Sequence, residues 1–109
     1  MNRIHKNLSA GRWNNFSLAE QLANVGSEAG RAINWRGKNA EFSNLAAERA
    51  LELAELTISD PKNRRRLKEL TRMREMLADY FFGSNEYSSS DQLWQKYFLS
   101  FNWAARKDK

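Results

Sequence analysis

Cysteine is absent and histidine occurs once, which removes most of the catalytic and metal chemistry open to a small domain. Without cysteine there is no disulfide framework, no thiolate nucleophile and no Cys-based metal site, a composition that fits a reducing compartment. His5 stands alone in an irregular stretch, so no Ser-His or Cys-His pair and no histidine metal site can be assembled within one chain. There is no Glu-x-x-His of the ferritin-like kind, no P-loop and no G-x-G-x-x-G. No run approaches the roughly 18 apolar residues of a membrane span, and the opening MNRIHKNLSAGRW lacks the apolar stretch of a signal peptide. Strand-period alternation and solenoid-length repeats are missing too. The expectation is a soluble, cytoplasmic, non-enzymatic protein with no membrane partner, no catalytic residue, no metal and no cofactor.

What is there is enough to fold. The chain has 109 residues, 41% of them hydrophobic and 12% aromatic, which suits one domain (1–109) around one core. Residues 1–15 crowd Asn2, Asn7, Ser9, Gly11, Asn14 and Asn15 together without a sustained period and are expected to form an irregular arm, either a basic-aromatic arm for a nucleic acid or a tail whose Ile4, Leu8 and Trp13 fold back onto the domain. Ser17 and Glu20 have capping-box spacing and open a helix over about 17–36, striped by Leu18, Leu22, Val25, Ala29 and Ile33. Beside that stripe run Ala19, Ala23, Gly26 and Gly30. Each helix-interior Gly costs about 1 kcal/mol relative to Ala, so close approach of a neighbouring helix, or of a ligand or partner backbone, is expected there.

A second helix is expected over about 40–58 behind Asn39, with Phe42, Leu45, Ala46, Leu53 and Leu56 on one side, Ala47, Ala50, Leu51, Ala54 and Ile58 widening the apolar arc, and a narrow acidic sector of Glu41, Glu48, Glu52 and Glu55. The third, over about 61–82, has Asp60 to cap it, Pro61 at its first position and Gly83 at a left-handed C′ position. Its core stripe is Leu67, Leu70, Met73, Leu77 and Phe81. Ser89 and Gln92 again have capping-box spacing, for a fourth helix over about 90–105. Four helices joined by short loops predict an all-α, up-down-up-down four-helix bundle.

The formal net charge is +5, but its placement matters more. Residues 1–38 hold six basic against two acidic groups (+4), residues 39–60 one against five (−4), and residues 61–109 eleven against six (+5). An acidic segment between two basic ones is what helices packed against each other need. Seven of the eighteen Lys and Arg residues lie between Asp60 and Gly83. Projected on a helix they divide: Arg64, Arg65, Lys68 and Arg72 face outward, while Arg66 points into the apolar sector and Arg74 onto its edge.

The outward set, helped by Arg3 and Arg12, forms a candidate phosphate-binding face for RNA or DNA. The inward pair, with Arg49 on the second helix, is expected to form buried ion pairs with carboxylates such as Glu48 and Glu52. Leu99 and Trp103, adjacent on the polar side of the last helix, suggest a contact surface that either docks the arm, Trp13 included, or makes a homo-oligomer interface. The carboxylates Glu52, Glu55, Glu75 and Asp79 loosely match the Mg²⁺ site of all-helical nucleotide pyrophosphohydrolases; a solvated, salt-bridged face is the alternative.

The motifs W-x-x-F-S-L-A-E-Q-L-A-N-V-G-S-E, S-D-P-K-N-R-R-R-L-K-E-L and Y-F-F-G-S-N-E-Y resemble those of small uncharacterised prokaryotic all-helical proteins, over roughly residues 13–106. That resemblance carries no function with it. In size and shape the chain is also similar to the HEPN and ribosomal intervening-sequence four-helix bundles, which implies self-association and RNA as a partner. The HEPN nuclease pattern, an Arg followed four to six residues later by His, is not met by Arg3 and His5. The function expected is therefore that of a self-associating interaction protein that binds nucleic acid through a basic face, with a purely structural scaffold as the alternative.

Overall fold

Ser17 starts the first long helix in the manner its spacing predicts. Its hydroxyl accepts the Glu20 N–H at 3.1 Å, and the Glu20 carboxylate accepts the Ser17 N–H at 2.9 Å. The computed structural model describes residues 10–107, and every regular element among them is helical. In chain order these are α1 (Ala10–Trp13), α2 (Leu18–Trp35), α3 (Ala40–Ser59), a 3₁₀ segment (Pro61–Arg66), α4 (Leu67–Phe82) and α5 (Asp91–Lys107). Helix α2 packs against both α3 and α5, and α3 packs against α4. No helix among the described residues is long and apolar enough to cross a membrane.

The main core joins the stripes of these elements: Leu22, Val25 and Ala29 from α2, Ala50, Leu53 and Ala54 from α3, Leu70, Met73 and Leu77 from α4, Trp94 and Phe98 from α5. Trp13 completes it. Of the irregular arm expected over residues 1–15, residues 1–9 lie outside the described residues, and residues 10–13 are corrected to a helical turn whose indole is 1% exposed. Ala32, Ala46 and Ala47 form a smaller cluster under Phe81. Small residues bring α2 and α3 close enough for the Ser43 hydroxyl to donate to the Ala32 carbonyl at 2.7 Å.

Four further expectations give way. On α3 the alanines of the apolar arc are buried with Leu53 as expected, but Phe42 and Leu45, expected beside them, are exposed. Phe42 instead meets Trp35 edge to face across the α2–α3 turn, ring centroids 5.2 Å apart. Leu67, expected in the core stripe, is exposed at the start of α4. Gly83 closes α4 with φ −101°, outside the left-handed region; its N–H reaches back to the Ala78 and Asp79 carbonyls. And Ser90, not Ser89, caps α5, its hydroxyl accepting the Leu93 N–H at 3.1 Å.

Candidate nucleic-acid interface

The basic segment begins as a 3₁₀ helix and not as the α-helix expected over 61–82. Three residues per turn put Asp60 and Asn63 on one side and Arg64 and Arg65 on the other. The inner side is a buried polar network. Asn63 Nδ2 donates to Gln21 Oε1 and to the Thr57 carbonyl, both at 2.9 Å. Gln21 Nε2 donates to Asp60 Oδ2 at 2.8 Å and to the Trp13 carbonyl at 3.1 Å. Asp60 also accepts the Lys62 N–H at 3.0 Å and pairs with the Lys62 ammonium. Burial raises the Asp60 pKa, but the bonds from Lys62 and Gln21 outweigh it and hold the carboxyl below its ordinary value. A satisfied network of this kind gives the arginine segment a rigid base.

The change of helix type also relocates Arg66. A 100° projection aimed it at the core; the structure leaves it exposed, in a two-bond pair with Glu69 (Nε to Oε2 2.8 Å, Nη2 to Oε1 3.1 Å). Arg66 is therefore not a buried partner for α3. Arg74 is the one that crosses, donating to Glu55 of α3 at 2.8 Å with both side chains half-buried. Arg49 turns the other way and faces Glu28 of α2 at 3.9 Å, which Arg31 also approaches at 3.6 Å. Glu52 is buried on α3, and Glu48 has no cation partner among the described residues.

Arg36 links the C-terminal end of α2 to α4 and α5 through Tyr80 and Asp91, the phenol also donating to Asp91. Burial acts to raise the Asp91 pKa, yet the bonds from Tyr80 and Arg36 bring it below normal. Burial and the Asp91 bond together push the Tyr80 phenol up.

Those pairings consume many of the inward and inter-helix cations. Arg64, Arg65, Lys68 and Arg72 stay exposed and unpaired among the described residues. With Leu67, Thr71, Glu75 and Tyr87 they line one open groove of about 660 Å³. Four cations against one carboxylate give the groove a net +3. Arg12, also exposed, does not line it, and Arg3 lies outside the described residues.

Tyr87 reaches the groove from the α4–α5 loop and carried no signal of its own in the sequence. The loop is fastened by Asp79, whose two carboxylate oxygens accept the N–H groups of Glu86 (2.9 Å) and Tyr87 (3.1 Å). That capture takes Asp79 out of the carboxylate set considered for Mg²⁺, as the Arg74 pair does Glu55. Among the described residues no group of three or more His, Asp or Glu side chains converges on a metal-sized site.

Among the described residues Leu99 and Trp103 are the most exposed large apolar ones, at 64% and 67%. Leu99 borders a notch of about 160 Å³ between α2 and α5, lined also by Gly30, Ile33, Gln95 and Asn102. Trp13 is not part of this surface. It is buried against Thr57 of α3, which fits a Trp13 folded back onto the domain and not one docked by Leu99 and Trp103. No family model, curated protein or solved structure matches the chain.

Proposed function

We propose that this protein is a non-enzymatic nucleic-acid-binding module of the cytoplasm, an up-down-up-down four-helix bundle that takes a phosphate backbone into the groove along the start of α4. The observation that carries the reading is the set of four exposed, unpaired cations, Arg64, Arg65, Lys68 and Arg72, around one concavity. A face that only needed to stay soluble would alternate its charges or pair them, as Arg66 and Glu69 do beside it. Four phosphate contacts predict a log–log salt slope of about −3 on single strands, from roughly 0.7 per phosphate. Filter binding of RNA and DNA across a salt series measures it, and in Arg64→Ala/Arg65→Ala the slope should shrink by about 1.4. Absence of salt-sensitive binding to either polymer would sink the proposal.

Self-association is the second part of the reading and rests on a different observation, the adjacent and exposed Leu99 and Trp103 beside the α2–α5 notch. Large apolar anchors of this kind dominate the energetics of protein contacts. Light scattering should give a mass above the monomer's 12.7 kDa, reverting toward it in Trp103→Ala. A native monomer whose mass Trp103→Ala leaves unchanged would leave the nucleic-acid module standing alone.

A further inference from the structure

The α4–α5 loop fixes the backbone of Tyr87 on every side and leaves its ring with nothing to do. Besides the two bonds from Glu86 and Tyr87 to the Asp79 carboxylate, the Asn85 N–H reaches the Asp79 carbonyl at 3.3 Å. Asn85 sits at φ 58° and exchanges two bonds with Ser89, at 2.8 and 3.0 Å. Ser88 is held at φ 54°, a conformation non-glycine residues seldom adopt, its N–H bonded to the Asn85 carbonyl at 3.1 Å. The Tyr87 side chain is 45% exposed, with no ring contact, no cation over it and no bond to its hydroxyl among the described residues. Trp35 and Phe42, exposed to a similar degree, at least cover each other. Tyr87 lines the basic groove.

A ligand for that groove must satisfy two kinds of group. The cations ask for phosphates, and an exposed aromatic face on an anchored loop asks for a flat, apolar partner. Inorganic polyphosphate offers only the first. A duplex offers phosphates too, but its bases are already stacked on one another inside the helix. A single strand offers both, since its bases are free to stack on a ring while the backbone follows the charges. Glu75 agrees with this choice: a carboxylate among phosphate-binding cations is misplaced against a bare polyanion, yet it can accept from the exocyclic amine of a base. We infer that the groove binds single-stranded nucleic acid, with Tyr87 as the platform on which one base stacks. This rests on the nucleic-acid reading of the groove and specifies its ligand.

The test is fluorescence anisotropy with a labelled 12-nucleotide cytidine strand and a 12-base-pair duplex, with inorganic polyphosphate as competitor. Native protein should prefer the strand to the duplex. Tyr87→Ala should weaken strand binding roughly 5- to 150-fold, the range alanine substitution gives for base–aromatic stacking. Tyr87→Phe should keep nearly all of the native affinity, and Tyr87→Ala should leave duplex and polyphosphate binding unchanged. A native circular dichroism spectrum and melt for both variants make the loss specific. If Tyr87→Ala binds the strand as tightly as native protein while Lys68→Ala/Arg72→Ala weakens it, stacking is overturned and the basic groove survives. If neither substitution matters because nothing binds, the groove reading falls and this one with it.

Discussion

Replacing Trp13 by Ala should remove about 3–5 kcal/mol of stability, the range for emptying a buried tryptophan site. The indole is 1% exposed and packs into the main core from α1, making an edge contact with Phe16 at 5.5 Å. Its Nε1 donates to Thr57 Oγ1 at 3.2 Å, and the Thr57 hydroxyl passes its own hydrogen to the Leu53 carbonyl at 2.8 Å. Its main-chain carbonyl accepts from Gln21, so the same residue holds one corner of the polar network beneath Arg64 and Arg65. Truncation to Ala opens a cavity and strips Thr57 of its donor. A domain of this size has about 5–15 kcal/mol in total, so the variant should be at least partly unfolded under mild urea. Trp13→Phe should lose less: about 1 kcal/mol for the hydrogen bond, with a further term for the smaller ring. Urea titrations followed by circular dichroism measure both. A loss below about 1 kcal/mol in Trp13→Ala would mean that α1 does not anchor the fold.

That residue also marks the boundary of what a sequence makes legible. Trp13 lies in a stretch rich in Asn and Gly with no helical period, and periodicity is silent about a single side chain that docks at long range. Where an apolar stripe is sustained, pattern and burial agree: Leu22, Val25 and Ala29 on α2, Leu70, Met73 and Leu77 on α4. Three local signals with a mechanism also agree, namely the Ser17–Glu20 capping box, the Asn39 side chain accepting from Phe42 N–H, and Asp60 before Pro61, whereas the Ser89 cap and the left-handed Gly83 do not. On α3 the wide apolar arc is buried or half-buried where it is expected except at Phe42 and Leu45, because there size competes with hydrophobicity. Ala46, Ala47, Ala50 and Ala54 allow close packing and take the buried face, leaving the larger Phe42 and Leu45 outside.

The candidate site divides the same way. The outward course of Arg64, Arg65, Lys68 and Arg72 was readable from spacing, since a step of one residue at an α/3₁₀ junction still leaves them on the solvent side. Arg66 was not, because its direction depends on whether the turn holds three residues or 3.6. Tyr87 was hidden for a further reason. It reaches the groove only because Asp79 captures two backbone N–H groups seven and eight residues ahead, a long-range bond with no fixed sequence spacing.

The two glycines inside α2 should respond to the same substitution with opposite signs. A Cβ built on Gly26 would lie 2.5 Å from Phe98 Cβ and 2.7 Å from Phe98 Cγ. Those atoms sit at the root of the side chain, so rotating the ring does not clear them. Helices α2 and α5 would have to move apart at a point where Trp94 and Phe98, stacked with centroids 5.8 Å apart, fill the core. Overpacking of this kind costs typically about 1–3 kcal/mol, more than the ~1 kcal/mol of helix propensity that Gly→Ala returns. Gly26→Ala should therefore be destabilising on balance, and Gly26→Val more so. Gly30 lies one helical turn further along the same face, and a Cβ there meets nothing within 4 Å. Gly30→Ala should stabilise the fold by up to about 1 kcal/mol, raising the melting temperature by about 4–8 °C. Thermal melts of the two variants side by side decide the matter; equal shifts would mean that α2 and α5 are not in contact at Gly26. The contrast has a functional side. Close packing gives Gly26 its reason, whereas Gly30, where a Cβ would meet nothing, lines the notch beside Leu99. If that notch receives an anchor from a second copy, Gly30→Leu should lower the mass seen by light scattering while the isolated fold stays intact.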